Sequence, residues 1–319
     1  MSKRTIAKFF VFVILIPTAG FTLSGCGRAW SSGRQTTDFD RAQSPYTEPR
    51  VIGKIESPDI TESSGLAASK CQPGVLWTHN DSGDGPYLYA MDEAGKNLGT
   101  WRVTGAENRD WEDIDEFKDA SGQCFLYIGE IGNNEGKRER TLVYRVKEPQ
   151  ISTESRGTNK KNALSTEPTE SVRVDYPGPR ENAEALLVHP KTGDIYIVSK
   201  RFSGPAAVYR VPQQFGSEQP VAAIKIADIT VPSVPNGLLT GGDISPDGTR
   251  VALSDYTAGY ELTLPKGDPN FDDIWKQQPV KFDIGKRETG ESIAYSPDGL
   301  EVFAGSEGRN SPIYEIRKK

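Results

Sequence analysis

"ESIAYSPDGLEVFAGSEGRNSPIYEI", residues 291–316, reads as three short strands split by two turns, with no fourth strand after them. A three-stranded sheet is a poor place to stop. The stretch is the last of five repeats. A tyrosine in a short apolar strand recurs at Tyr89, Tyr144, Tyr209, Tyr260 and Tyr314, spaced 55, 65, 51 and 54 residues apart. Apolar residues flank each tyrosine at alternate positions, which is the strand period. Another strand precedes each copy: "VLWTHN" (75–80), "FLYIGE" (125–130), "IYIVSK" (195–200), "RVALSD" (250–255) and "EVFAGSE" (301–307). Before these lie tight turns ending in Gly74, Gly122, Gly193, Gly248 and Gly299, two of them Ser-Pro-Asp-Gly. Proline presets φ at the second turn position and glycine accepts a positive φ at the end. Small-residue strands come first: "SSGLAAS" (63–69), "WEDIDEF" (111–117), "EALLVH" (184–189), "TGGDIS" (240–245) and "ESIAYS" (291–296). Slender residues suit an innermost strand where several sheets crowd an axis.

A fourth strand follows the tyrosine strand in the first four units: "LGTWRV" (98–103), "SVRVDY" (171–176), "AAIKIADI" (222–229) and "PVKFDI" (279–284). The fifth unit lacks one, and "RVIGKIES" (50–57) is an orphan of the right length. The expectation is an all-β protein: a β-propeller of five four-stranded blades, closed by an N-terminal strand that completes the last blade. That pairing removes two open edges. Residues 147–170, polar and without an apolar period, are read as a disordered excursion within blade two. A degenerate sixth blade hidden there is the alternative.

Composition agrees with all-β: 32 Gly, 22 Pro and few stretches with a helical period. The net charge of −6 and the lack of a basic stripe argue against nucleic acid as a partner. The N-terminus carries Lys3, Arg4 and Lys8, then an apolar run broken by Pro17, then Leu23-Ser24-Gly25-Cys26. Such a run is short for a membrane span and fits a cleaved signal. Leu-Ser-Gly-Cys resembles a bacterial lipobox, which implies a signal peptide over 1–25, lipid on Cys26 and a tether over 26–48. The domain then spans 49–319. An exported, lipid-anchored monomer is expected, on the outer membrane if the cell has one and otherwise on the cell surface. Cys71 and Cys124 fall in equivalent turns of consecutive repeats, so a disulfide is geometrically plausible in an oxidising compartment; two free buried thiols are the alternative.

Binding sites of ring-shaped folds gather at the channel mouth. Aligning the inner strands puts Ser64, Glu112, Glu184, Thr240 and Glu291 at one equivalent position near that face, with Asp113 and Asp243 close by. Loops between second and third strands add His79, Asn80, Asp81, Asp84, Glu130, Asn133, Lys200, Arg201, Asp255, Tyr256, Glu307 and Arg309. Carboxylates converging on an axis raise one another's pKa unless neutralised. Ca²⁺ takes several oxygens in flexible geometry, so Glu112, Glu184, Glu291, Asp113 and Asp243 are candidate ligands. Ion pairing by Lys and Arg is the competing solution. Two histidines and so few cysteines argue against a zinc cage, and no cofactor other than Ca²⁺ is expected. His79 is a candidate general base, with Glu112, Glu184 and Glu291 beside it as catalytic candidates; the competing reading makes His79 structural. Trp111 is weighed as core packing or as a stacking platform for a ring-shaped ligand. No Gly-x-Ser-x-Gly elbow is present.

At "ITESSGLAAS", "LWTHNDSGDGPYLYAMD", "DWEDIDEF", "LYIGEIGNN", "VYRVKEP", "NAEALLVHPKTGDIYIVSK", "TGGDISPDGTRVAL" and "GESIAYSPDG" the chain resembles a family of uncharacterised exported bacterial β-propeller proteins. More loosely it is similar to SdiA-regulated, phytase-like esterase and gluconolactonase-type propellers. That resemblance implies an acid-lined mouth, often holding Ca²⁺, with Glu112, Glu184 and Glu291 at blade starts. It supplies no reaction. Thr240 stands where a carboxylate is expected, and the basic phosphate-binding cluster of phytases is not evident. Two readings follow: a binding propeller taking a small ligand, or a Ca²⁺-dependent phosphoester or lactone hydrolase. A protein-interaction scaffold is the third.

Overall fold

The computed structural model describes residues 44–138 and 141–319. The expected signal peptide, Cys26 and most of the expected tether lie outside the described residues. Five sheets form a five-bladed β-propeller. Blade 1 holds Ser63–Ala68, Val75–Asn80, Tyr87–Asp92 and Asn97–Arg102, from axis to rim. Blade 2 holds Trp111–Lys118, Cys124–Glu130, Thr141–Lys147 and Glu170–Asp175. Blade 3 holds Ala183–Val188, Ile195–Ser199, Ala206–Val211 and Ile224–Ile229. Blade 4 holds Gly241–Ile244, Arg250–Ser254, Gly259–Thr263 and Val280–Phe282. Blade 5 holds Ile293–Tyr295, Glu301–Ala304 and Pro312–Arg317, with Arg50–Lys54 as its outer strand.

The five turn glycines all have positive φ, between 68° and 86°, as their turn chemistry requires. Ring closure runs antiparallel, with Arg50 opposite Glu315 and Lys54 opposite Pro312. Arg50 also pairs with Glu315 at 2.7 Å. The seam extends further back than expected. Tyr46, counted at the end of the tether, bridges to Lys318, stacks on Phe282 at 4.4 Å and is 2% exposed.

Strand alternation builds the core. Each buried apolar cluster lies between two consecutive blades. In blade 3, Ala185 and Leu187 face blade 4, while Leu186 and Val188 face blade 2. The repeated tyrosines all turn the same way, toward the preceding blade. Their hydroxyls are tied to the upper loops: Tyr89 donates to Asp84 at 2.8 Å, Tyr209 to Glu181 at 2.7 Å, Tyr260 to Asp255 at 2.6 Å and Tyr314 to the Lys286 carbonyl at 2.7 Å. Tyr144 instead accepts from the Glu107 N–H at 3.4 Å. Gly65 shows why inner strands are slender: a Cβ there would sit 2.6 Å from the Ile114 nitrogen of blade 2.

Residues 147–170 depart from expectation. They neither hide a sixth blade nor form an unstructured excursion. Leu164–Ser165 pairs parallel to Trp101–Arg102, giving blade 1 a fifth strand. Ser155 donates to the Leu98 carbonyl at 2.9 Å, and the Thr100 N–H donates to the Thr158 hydroxyl at 2.8 Å. Hydroxyls and backbone, with little apolar surface, cover the outer edge of blade 1. Blade 2 gains a similar fifth strand, Val221–Ala222, parallel to Val174–Asp175. No helix among the described residues is long and apolar enough to cross a membrane.

Candidate functional site

The axis carries two kinds of acid. Asp113 accepts from the Ile114 N–H at 2.9 Å, from Leu186 of blade 3 at 3.0 Å and from Gly242 of blade 4 at 3.3 Å. Asp115 accepts from Val188 of blade 3, and Asp243 from Tyr295 of blade 5, at 2.5 and 2.7 Å. Inner-strand N–H groups that face the axis have no further strand to bond to, and these carboxylates supply the acceptors. Burial raises all three pKa values, opposed by those N–H donors. Asp113 and Asp243, expected among the metal ligands, thus have their oxygens committed to fastening blades together.

Above them the glutamates are differently placed. Glu112, at the start of the blade 2 inner strand, is 2% exposed, and its Oε1 accepts no hydrogen bond. Oxygens of Asp81, Asp110 and Glu112 lie within 4.8 Å of one another. Gly132 passes directly over them, so that a Cβ there would fall 1.9 Å from Glu112 Oε1 and 2.6 Å from Asp110 Oδ2. Burial first, then the charges of Glu184, Asp81 and Asp110, raise Glu112 well above the usual range. Asp110 is pushed up to about 6 by burial, against the pull of Arg138. Arg138 pairs with Asp110 at 3.1 Å and with Glu130 at 2.6 Å.

Glu184 lies against Glu112 and is the ion-pair partner of Lys200, at 3.0 Å, while the Asn182 amide donates to it at 3.2 Å. Burial works against the Lys200 charge, but Glu184, Tyr256 and Glu291 together more than compensate and its pKa is raised. Lys200 also lies 5.0 Å over the Tyr256 ring. Glu291, on blade 5, is pushed up to about 9 by burial and by Glu307, with Glu184 adding to it. Ser64 donates to Glu291 Oε2 at 3.3 Å and to the Glu112 carbonyl at 2.7 Å. The mouth therefore gathers Asp81, Asp110, Glu112, Glu184, Glu291 and Glu307 around Lys200 and Arg138. All-oxygen donors of this kind suit a hard divalent cation, and acids that share protons can hold or donate one.

Several expected site residues serve the scaffold. His79 is fully buried, edge-on to Trp111 at 5.6 Å, bonded through Nδ1 to the Asn80 carbonyl and pushed down to about 4 by burial. It is a neutral core residue. Trp111 is itself 0% exposed and donates to the Glu107 carbonyl, so no face is left for stacking. Asn80 caps the Thr61 and Glu62 N–H groups at 2.9 and 3.0 Å. Asp84 holds Asn80, Tyr89 and Lys160. Asp255 accepts from Thr257, Ala258 and Tyr260, Asn133 holds the Glu181 carbonyl and the Arg138 N–H, and Arg201 pairs with Glu181 at 2.6 Å. Arg309 is exposed and donates to the Pro58 carbonyl.

Sequence reasoning missed Asp110, Arg138 and Asn182. Asp110 is the first residue of "DWED", one place upstream of the aligned strand, where a wider window would have found it. Arg138 lies in a loop with no repeat counterpart and left no signal. Arg287 was missed too: buried beneath the mouth, it donates to the Gly305 and Asp255 carbonyls at 3.0 Å each, and burial pushes it down to about 10.

No family model and no curated protein matches the sequence. Among solved structures, the chain is similar to a PQQ-bound aldose sugar dehydrogenase from Streptomyces coelicolor, with 11% identity, a TM-score of 0.43, and 85% of this chain and 98% of that one covered. It is also similar to a gluconolactonase from Xanthomonas campestris, with 14% identity, a TM-score of 0.43, and 85% and 89% covered. At these values the likeness carries no argument about activity.

Proposed function

We propose that the protein is an exported, lipid-anchored binding propeller whose mouth takes Ca²⁺ at Asp81, Asp110 and Glu112 and presents it to a small polar ligand. One observation carries this reading: the buried, unpartnered Oε1 of Glu112, facing two further carboxylates beneath a glycine that leaves no Cβ in the way. Burying a carboxylate oxygen without a donor is costly. A divalent cation would remove that cost and the mutual repulsion together. Glu184 stays with Lys200, so its charge faces the site from beside it without ligating.

Calorimetric titration of the chain with Ca²⁺ tests this. One equivalent should bind at pH 7.5, and binding should weaken as the pH falls, because each carboxyl with a raised pKa must lose its proton to ligate. Glu112→Gln should abolish the heat. An unchanged isotherm in that variant would remove the metal centre from the mouth. The second reading, a phosphoester or lactone hydrolase, rests on Glu291, an acid held protonated near neutral pH beside Lys200. Turnover of a lactone or aryl phosphate that is lost in Glu291→Gln while Ca²⁺ still binds would favour it.

A further inference from the structure

The lower face holds a second cluster that the mouth does not use. Cys71 lies in the bend between the first two strands of blade 1, Cys124 opens the second strand of blade 2, and their sulfurs are bonded. Glu116 and Glu148 flank the bridge, and one ligand atom from each of the four residues lies within 4.8 Å of the others. Both glutamates are buried, at 1% and 2% exposure. Glu148 accepts the Trp77 indole N–H through Oε1 at 2.8 Å, but its Oε2 has no hydrogen-bond partner. Glu116 Oε2 is paired with the Lys70 ammonium at 3.3 Å. A buried carboxylate oxygen of Glu148 thus lacks a donor beside a pair of sulfurs that, once bridged, have no proton to give it.

We propose that these four side chains form a redox-gated zinc site, closed as a disulfide when oxidised and able to bind Zn²⁺ when reduced. A dithiol supplies the two electrons and two protons, the S–S bond breaks into two thiols, and the dithiol becomes its own disulfide. Zn²⁺ then displaces the two thiol protons to solvent and takes both thiolates. Glu116 and Glu148 complete a four-coordinate set. Zn–S bonds of about 2.3 Å and Zn–O bonds of about 2.0–2.2 Å put tetrahedral ligand atoms roughly 3.3–3.8 Å apart, within the present spread. The sulfurs must separate from bonding distance, and Cys71 is half-buried in a bend rather than fully packed in the core. Two thiolates and two carboxylates leave a net charge of −2 around the zinc, and Lys70 offsets part of it.

Either state staples blade 1 to blade 2. Each also holds the start of the 147–170 segment, because Glu148 belongs to it and Gln72 bonds both the Pro149 carbonyl and the Ile151 N–H, at 2.9 and 2.7 Å. The scarcity of histidine and cysteine counted against a zinc cage at the mouth. It says nothing against a mixed thiolate–carboxylate site at the opposite face, where both non-lipid cysteines meet.

The test is a titration of the full chain with Co²⁺ and then Zn²⁺, after reduction by a phosphine and with native near-UV circular dichroism confirmed. Reduced wild-type protein should take up one Co²⁺ with thiolate-to-metal charge transfer and tetrahedral visible bands, and Zn²⁺ should bleach them. The oxidised protein should show neither. Glu148→Gln should weaken zinc by roughly tenfold or more, at least what losing a supporting partner costs. Glu112→Gln should leave the thiolate bands unchanged, which separates this site from the mouth. A natively folded, reduced wild-type protein without thiolate bands would overturn the proposal. So would zinc affinity unchanged in both Glu116→Gln and Glu148→Gln.

Discussion

Glu291→Gln tests the electrostatics of the mouth most directly. Glu291 is 5% exposed, and burial together with Glu307 lifts its pKa from 4.5 to about 9. A carboxyl whose folded pKa exceeds its unfolded one keeps its proton only in the fold. Its contribution is therefore fully present below the unfolded pKa and is lost as pH rises toward the folded one. One pH unit corresponds to about 1.4 kcal/mol, so wild-type protein should give up roughly 3 kcal/mol of this contribution between pH 4.5 and 7. Glutamine cannot ionise, and its side-chain oxygen still accepts from Ser64. The variant should match wild type at pH 4.5 and exceed it by about 3 kcal/mol at pH 7. The assay is urea unfolding followed by tryptophan fluorescence, at intervals of one pH unit, with a chelator present to exclude bound cations. The difference between the two proteins reports Glu291 together with its coupling to Glu307, while the remaining axial acids titrate in both. Parallel stability curves, or a variant less stable than wild type at pH 7, would refute the reasoning.

Asp113→Ala should destabilise the ring by about 2–6 kcal/mol, because the buried Leu186 and Gly242 N–H groups each lose their acceptor at about 1–3 kcal/mol. A loss below about 1 kcal/mol in urea unfolding would mean that water serves those donors as well as the carboxylate does. Replacing both Cys71 and Cys124 by serine should cost the oxidised protein about 4 kcal/mol, given a loop that spans 53 residues. Wild-type protein in reductant and chelator should then unfold at nearly the same urea concentration as the double variant, and a variant as stable as oxidised wild type would show that the bridge constrains nothing.

The ring was legible in the sequence because it is built from a repeat. Five tyrosine strands, five turn glycines and one orphan strand at residues 50–57 gave blade number, strand order and closure without any long-range guess. The site was legible only by position. Alignment put Glu112, Glu184 and Glu291 at one level. It could not tell them from Asp113 and Asp243, one and three residues past the aligned positions of their strands, because the difference lies in which way a carboxylate points. Asp113 turns toward the backbones of two other blades, whereas Glu112 turns toward Asp81 and Asp110. The 147–170 segment was misread for a different reason. Its order rests on hydroxyl–backbone bonds from Ser155, Thr158 and Thr166 to the edge of blade 1, and such bonds leave no hydrophobic period.

Five equivalent positions have diverged in a way that bears on function. Where the repeat carries Ser64 or Thr240, the hydroxyl donates to a carbonyl of the next blade, at 2.7 and 3.0 Å. Small hydroxyls therefore suffice to join the inner strands at this level, and the deeper aspartates do the same below. The glutamates of blades 2, 3 and 5 are not required for that joining. They bring a charge cost that the scaffold leaves partly unmet: an oxygen without a donor at Glu112, an acid kept protonated at Glu291, and a single ammonium between them that is committed to Glu184. A sequence under selection for stability alone would have continued the serine and threonine pattern around the ring. Local cost without local compensation is the mark of a functional position. On that ground the corner formed by Asp81, Asp110 and Glu112, whose oxygens lie within 4.8 Å of one another, is where we propose that this propeller meets its ligand.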